Sequence, residues 1–314
     1  MIRGDQQAKG NQSDQATYAS TLAGRSFRTI MAIAARFDLE LIQYDVVNAF
    51  VNTELPFEIY MRMPPGYRKG GIVLRLYKAL YGLRQAPLLW QNHFTTTLKS
   101  LGFKPIPHEP CYYTKDGVLL FFYVDDVVIA FKKNKKEQAK YLIQAIKDQY
   151  TLTGGEDIQW FLGIEILRDR KQGLIKLSQA LYIDKISKLA KEGHIPTTPM
   201  RNIELLPYSG RASAASITQY QRKIGSLLYV AVITRPDIAF ATSRLARFNM
   251  NPGPEHHQEA DRALLYLSAT RNLALQYGQG DTFDVASDAS FADNTLDRKS
   301  SQAYTMRLFR GTIG

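Results

Sequence analysis

Cysteine is almost missing from this chain: Cys111 is the single one in 314 residues. A lone thiol can form neither an internal disulfide nor a cysteine metal cluster, and it fits a reducing compartment. Long hydrophobic runs are missing too. No stretch approaches the roughly 18 uninterrupted apolar residues of a membrane span, and the first residues lack the apolar core of a signal peptide. The expectation is an intracellular, cytoplasmic protein with no membrane partner. Negative charge is in deficit, with 29 Asp and Glu against 40 Lys and Arg and a formal net charge of +11. That balance suits a protein that holds phosphates, although many basic proteins bind none. An apolar share of 45% argues against wholesale disorder, and the length allows two or three units with cores of their own.

Met1 to Thr17 are polar and poor in pattern. Residues 24–36 place Ala, Ile, Met and Phe at helical spacing, and residues 38–47 read as a strand ending near Asp45. From Pro87, the steps Trp90, Phe94, Leu98, Leu101 build one face of a helix closed by Gly102. Val118 to Phe131 is apolar except for Asp125 and Asp126 and is long enough for a hairpin. A second helix follows over 136–150, giving an α+β unit. Trp160 to Leu167 and Leu174 to Leu177 predict a short hairpin, and Gln179 to Lys191 a basic amphipathic helix. Residues 196–216, with three prolines, read as a linker or long loop. Helices are expected around Ile224 to Val232, from Pro236, and over 255–270, then strands at 273–278, 283–289 and 303–309.

Two adjacent carboxylates inside an apolar run are the sharpest oddity, because unpaired buried charge is costly unless a cation or donor compensates. Lysines 132, 133, 135 and 136 follow the second strand, so their ammonium groups should point to solvent. A hard divalent cation is the better partner. A solvated hairpin turn would also account for the pair. Asp45, at the end of another β-rich run, offers a third carboxylate. If the strands are neighbours the three converge, and such a cluster binds cations or carries raised pKa values. His256 and His257 stand at a helix start without further ligands and are assigned no metal.

Asp45-Val46-Val47-Asn48-Ala49-Phe50, Leu80-Tyr81-Gly82-Leu83-Arg84-Gln85-Ala86-Pro87, Tyr123-Val124-Asp125-Asp126, Phe161-Leu162-Gly163-Ile164-Glu165-Ile166 and Leu177-Ser178-Gln179 stand in this order. The set resembles the reverse transcriptases of copia-type retrotransposons, from about Arg3 to the end of the chain. A four-residue string recurs by chance, whereas five motifs in one order do not. The resemblance implies two Mg²⁺ ions, with Asp45 and Asp125 as principal ligands, Asp126 in support and the Val46 carbonyl as a further oxygen. It puts Phe50 beneath the incoming sugar, Tyr81 and Gly82 at the nucleotide pocket, and Phe161, Leu162 and Gly163 at the primer terminus. Without it, Phe50 reads as core, Tyr81-Gly82 as a helix-entry turn and Phe161 to Gly163 as a structural hairpin.

The implied partners are an RNA template, a DNA primer and deoxynucleoside triphosphates, and the implied location is a virus-like particle. The implied fold is a right-hand polymerase: fingers and palm over 1–175, thumb and linker over 176–215, a helical connection over 216–280. Residues 281–314 resemble the opening of a ribonuclease H domain, with Asp288 at its first catalytic aspartate. One carboxylate cannot hold two metals, so no ribonuclease H activity is expected. Seven basic and two acidic residues between Arg168 and Lys191 suit a thumb that tracks a phosphate backbone, or simply a solvated face. The family's fingers begin with a basic strand that this chain starts too late to include, and the expectation is a fragment or degraded copy. The competing reading is an inactive relic that folds and binds nucleic acid.

Overall fold

A computed structural model describes Ile2, Gly4, Gln7, residues 17–292 and residues 298–314. Arg3, most of the polar start and the residues between Ala292 and Arg298 lie outside the described residues. The chain forms two compact units, one of Met1–Phe27 with Phe37–Ile158 and one of Arg28–Arg36 with Gln159–Gly314. Both helices and sheets build each unit, so the α+β expectation holds.

The elements up to Ile158 are α1 (Gly24–Arg36), β1 (Glu40–Val46), β2 (Glu54–Arg62), β3 (Val73–Lys78), α2 (Ala86–Ser100), β4 (Lys104–Ile106), β5 (Glu109–Lys115), β6 (Val118–Tyr123), β7 (Asp126–Phe131), α3 (Lys136–Lys147) and β8 (Leu152–Asp157). Among the described residues, six strands form one sheet in the order β4-β5-β6-β7-β1-β8, and β2 and β3 form a separate ribbon. The ribbon and β4, β5 and β8 escaped the sequence reading, although β2 alternates in burial residue by residue. The central strands are buried on both faces, which is why Val127 to Phe131 reads as a continuous apolar run. Successive strand residues point to opposite faces. Phe121 accordingly meets Phe27 of α1 at 6.3 Å, whereas Phe122 meets Phe94 of α2 at 5.0 Å. The sheet is thus clamped from both sides just behind the Tyr123 to Asp126 turn. Lys133 pairs with Asp38 at the surface, consistent with lysines that point away from that turn.

The second unit continues with β9 (Trp160–Phe161), β10 (Ile164–Asp169), β11 (Leu174–Ser178), α4 (Ala180–Ser187), α5 (Ala214–Ile233), α6 (Ala239–Ala246), α7 (Pro254–Ala269), β12 (Leu275–Tyr277), β13 (Phe283–Ser290), β14 (Ser301–Leu308) and β15 (Gly311–Thr312). One sheet runs β12-β11-β10-β9 and another β13-β14-β15. Helix α4 stops at Ser187, short of the expected Lys191, because Leu189 and Ala190 donate to carbonyls three residues back and tighten the coil. The proline-rich stretch is a pinned loop. Asn251 holds the carbonyls of Tyr208 and Gly210, and the backbone amide of Arg201 donates to Glu259. Inside the helical core, Lys223 of α5 is 1% exposed and pairs with Asp261 of α7. Among the described residues no helix is long and apolar enough to cross a membrane. Replacing Asp261 by Ala strands the Lys223 ammonium and should cost about 3–5 kcal/mol in urea denaturation. The double change Lys223→Met with Asp261→Leu should recover most of that loss.

Candidate active site

The paired carboxylates sit on a hairpin closed by a tight turn. Tyr123 is the register partner of Asp126, so Val124 and Asp125 are the turn residues. Val124 has φ +59° and Asp125 does not share the left-handed region, the pattern of a type II′ turn whose first position favours glycine. A β-branched residue there stores strain of about 1–3 kcal/mol. Two backbone groups of the turn are held from outside. The Trp90 indole N–H donates to the Val124 carbonyl at 2.7 Å, and the Val46 N–H donates to the Asp125 carbonyl at 2.9 Å. Trp90 itself is 1% exposed, stacked on Phe94 at 5.2 Å and edge-on to Tyr150 at 5.5 Å. The apolar α2 face therefore positions the turn as well as filling the core.

Strand β1 lies beside β7 with Asp45 opposite Asp126, so two carboxylates share one face of the sheet, an unfavourable cross-strand pair. Asp45 is exposed at the strand end, while Asp125 and Asp126 are half-buried. Burial, then Asp125 and Asp126, raise the Asp45 pKa above the usual carboxylate range. Burial also raises Asp126, Asp125 adds to it, and a 3.1 Å hydrogen bond from Gln43 Nε2 opposes it. The Tyr81 hydroxyl donates to Asp125 Oδ2 at 2.9 Å, and burial and that bond push it up to about 12, so it stays a donor at any working pH. Asp45 thus feels Asp125 and Asp126, Asp126 feels Asp125, and neutral donors from Tyr81 and Gln43 reach Asp125 and Asp126.

Carboxylates with a neighbouring backbone carbonyl are the oxygen donors that Mg²⁺ takes. The donor chemistry of Asp45, Val46, Asp125 and Asp126 fits that ion, as does their mutual repulsion. Among the described residues no three acidic, histidine or cysteine side chains are gathered into a ready-made cage.

Phe50 follows Asn48, which has φ +53°, in a short 3₁₀ turn, is 6% exposed and lies 4.4 Å from the Tyr81 ring. Tyr81 thereby joins Phe50 to Asp125. Gly82 has φ +102°, and a Cβ there would meet the Ile2 carbonyl at 1.9 Å, so the chain's own backbone fills that space. Phe161, Leu162 and Gly163 belong to the second unit. Leu162 and Gly163 both have positive φ, as a type I′ turn requires, Phe161 is 1% exposed, and Tyr229 donates to the Leu162 carbonyl at 2.9 Å. Asp288 is exposed on β13 opposite Ala303. Cys111 is buried, its thiol pushed up to about 11 by burial and Glu109, which removes it as a nucleophile.

The family described as reverse transcriptase (RNA-dependent DNA polymerase) has a model that matches residues 1–200. The chain belongs to this family. Its relatives identify it as a reverse transcriptase region of the copia type. The Retrovirus-related Pol polyprotein from transposon TNT 1-94 of Nicotiana tabacum is 33% identical over 332 residues, which covers 100% of this chain and 25% of that protein. The corresponding polyprotein from transposon RE1 of Arabidopsis thaliana is 33% identical over 306 residues, 93% of this chain and 20% of that protein. A putative transposon Ty5-1 protein of Saccharomyces cerevisiae is 36% identical over 249 residues, 75% of this chain and 79% of its own length. The reverse transcriptase chain spans about a quarter of the tobacco polyprotein and a fifth of the Arabidopsis one.

Gln43, and Trp90 and Tyr81 as holders of the turn, escaped the sequence reading. Their partners lie 83, 34 and 44 residues away, and no local pattern reports such a contact. Two outcomes follow from the geometry. Trp90→Phe keeps a ring but leaves the Val124 carbonyl without its donor, and should cost about 1–3 kcal/mol in chemical denaturation. Because the Asp45 and Asp126 carboxyls bind protons more tightly in the folded chain, their ionisation weakens the fold above the raised values, and the penalty fades as pH falls through them. In metal-free buffer Asp45→Asn should therefore melt above the unaltered chain at about pH 7, with the gap closing near about pH 4.

Proposed function

We propose that the chain is the polymerase region of an RNA-directed DNA polymerase from a copia-type retrotransposon. The observation that carries this reading is the Asp45 and Asp126 pair across β1 and β7 with Asp125 at the adjoining turn. Membership of the reverse transcriptase family supports it. In this reading the fingers and palm take the first part of the chain, a thumb and helical connection follow, and 281–314 begin a ribonuclease H-like fold.

Two Mg²⁺ ions, when bound, would supply the charge that activates a primer 3′-hydroxyl and stabilises the departing pyrophosphate. Asp45, Asp125 and the Val46 carbonyl would hold them, with Asp126 in support. The remaining tasks fall to the protein. Trp90 and Val46 fix the turn so that Asp125 keeps its place relative to Asp45. Tyr81, as a permanent donor, holds Asp125 through its hydroxyl. Phe50, packed on Tyr81, would lie under the incoming sugar and exclude a ribose 2′-hydroxyl. Phe161, Leu162 and Gly163, in a type I′ turn, would aim the primer terminus.

Primer extension on an RNA template with deoxynucleotides and Mg²⁺ tests the reading. Extension should fall by about 10³-fold or more in Asp125→Asn, the scale of losing a key electrostatic group, with primer binding retained. Extension that survives the substitution contradicts the site. Tight primer binding with no extension by the unaltered chain favours an inactive relic.

A further inference from the structure

The C-terminal end of α5 reaches back to the strands that open the second unit at two points. At one, the Tyr229 hydroxyl donates to the Leu162 carbonyl at 2.9 Å, in the turn between β9 and β10. At the other, the Thr234 hydroxyl, just past the helix, donates to Gln179 Oε1 at 2.7 Å, directly after β11. Gln179 is 1% exposed, so the last residue of the Leu177-Ser178-Gln179 motif serves as a buried tie to α5.

The helix end that carries both ties is itself fixed. Buried Arg235 pairs with Asp237 and donates to the carbonyl and the hydroxyl of Thr270 at the end of α7. The Tyr229 ring is set by Tyr182 of α4, edge-on at 5.0 Å. A phenol held at its backbone and at its ring presents its hydroxyl in one place.

The turn between β9 and β10 needs such a hold. Leu162 has φ +52° at a position that suits glycine or asparagine, a strained conformation that lasts only where its surroundings fix it. Buried Phe161 anchors one side of the turn. The Tyr229 hydroxyl lies against the other, bonded to the Leu162 carbonyl and 3.7 Å from where a Cβ on Gly163 would stand.

We propose that Tyr229 is a positioning residue for the primer terminus: its hydroxyl fixes the Leu162-Gly163 turn, which makes the end of α5 a working part of that turn. This role rests on the reading of Phe161, Leu162 and Gly163 as the segment that aims the primer. Tyr229 acts through the turn and needs no contact with the primer itself.

Tyr229→Phe in the full chain keeps the ring and its Tyr182 contact and removes only the hydroxyl. Amide hydrogen exchange over 161–164 should rise by about 2- to 10-fold, the scale of one net hydrogen bond, with the rest of the helical core and the melting midpoint unchanged. A primer carrying 2-aminopurine at its 3′ end, annealed to an RNA template, should bind with unaltered affinity yet show a changed terminal fluorescence. In extension assays kcat should fall by about 3-fold or more while the KM for deoxynucleotide holds, because misplacing a reacting group slows chemistry without weakening binding. Unchanged exchange over 161–164 overturns the proposal, as does exchange that rises evenly through the unit, or a primer-end signal identical in both chains. An unaltered chain that binds primer without extending it contradicts the polymerase reading alone, and exchange and primer-end fluorescence still decide the role of Tyr229.

Discussion

Asp45 and Asp126 face each other across β1 and β7, with Asp125 on the turn next to them. Like charges opposite one another on a sheet oppose folding, and here the remainder of the first unit holds them together. The central strands are buried on both faces, with Phe121 against α1 and Phe122 against α2, so the register that opposes Asp45 to Asp126 cannot slip without exposing a run of large apolar side chains. Burial first, and the neighbouring carboxylates second, raise the Asp45 and Asp126 pKa values. A divalent cation is the species that would relieve the repulsion, which links the packing of the sheet to the chemistry of the site.

The turn repeats the pattern on a smaller scale. Val124 holds a backbone conformation that suits glycine, and it persists because Trp90 and Val46 bind the carbonyls on either side of the turn residues' junction. Strain of this kind survives only where surrounding structure over-determines it, and it gathers at sites where geometry matters more than stability. Tyr81 then ties the turn to Phe50, so the carboxylate and the aromatic expected beneath the sugar are joined through one side chain.

Much of this was legible in the sequence because it is written locally. The helical steps from Trp90 to Leu98 and the apolar hairpin from Val118 to Phe131 need only short-range periodicity, whereas the Leu162-Gly163 turn divides between β9 and β10 a stretch, 160–167, that periodicity reads as one strand. The three aspartates were identifiable as a set once their motifs stood in order. What stayed hidden depends on distant partners or on short, weakly patterned strands: the Trp90 contact with Val124, the Gln43 contact with Asp126, and β8 completing the sheet beside β1. The buried Lys223 and Asp261 pair was hidden for the same reason, since each residue alone reads as part of a solvated helix face. The carboxylates themselves are more exposed than the apolar run around them suggested, because they fall at the sheet's end and in its turn.

On the proposed reading the three carboxylates form one electrostatic site that divalent cations would complete. It is tested most directly by measuring Mn²⁺ binding to the full chain from the paramagnetic resonance signal of the free ion. Saturable binding that weakens sharply in Asp45→Asn and in Asp125→Asn, while both variants remain folded, is the expected result. Equal Mn²⁺ binding by the unaltered chain and by both variants would contradict it.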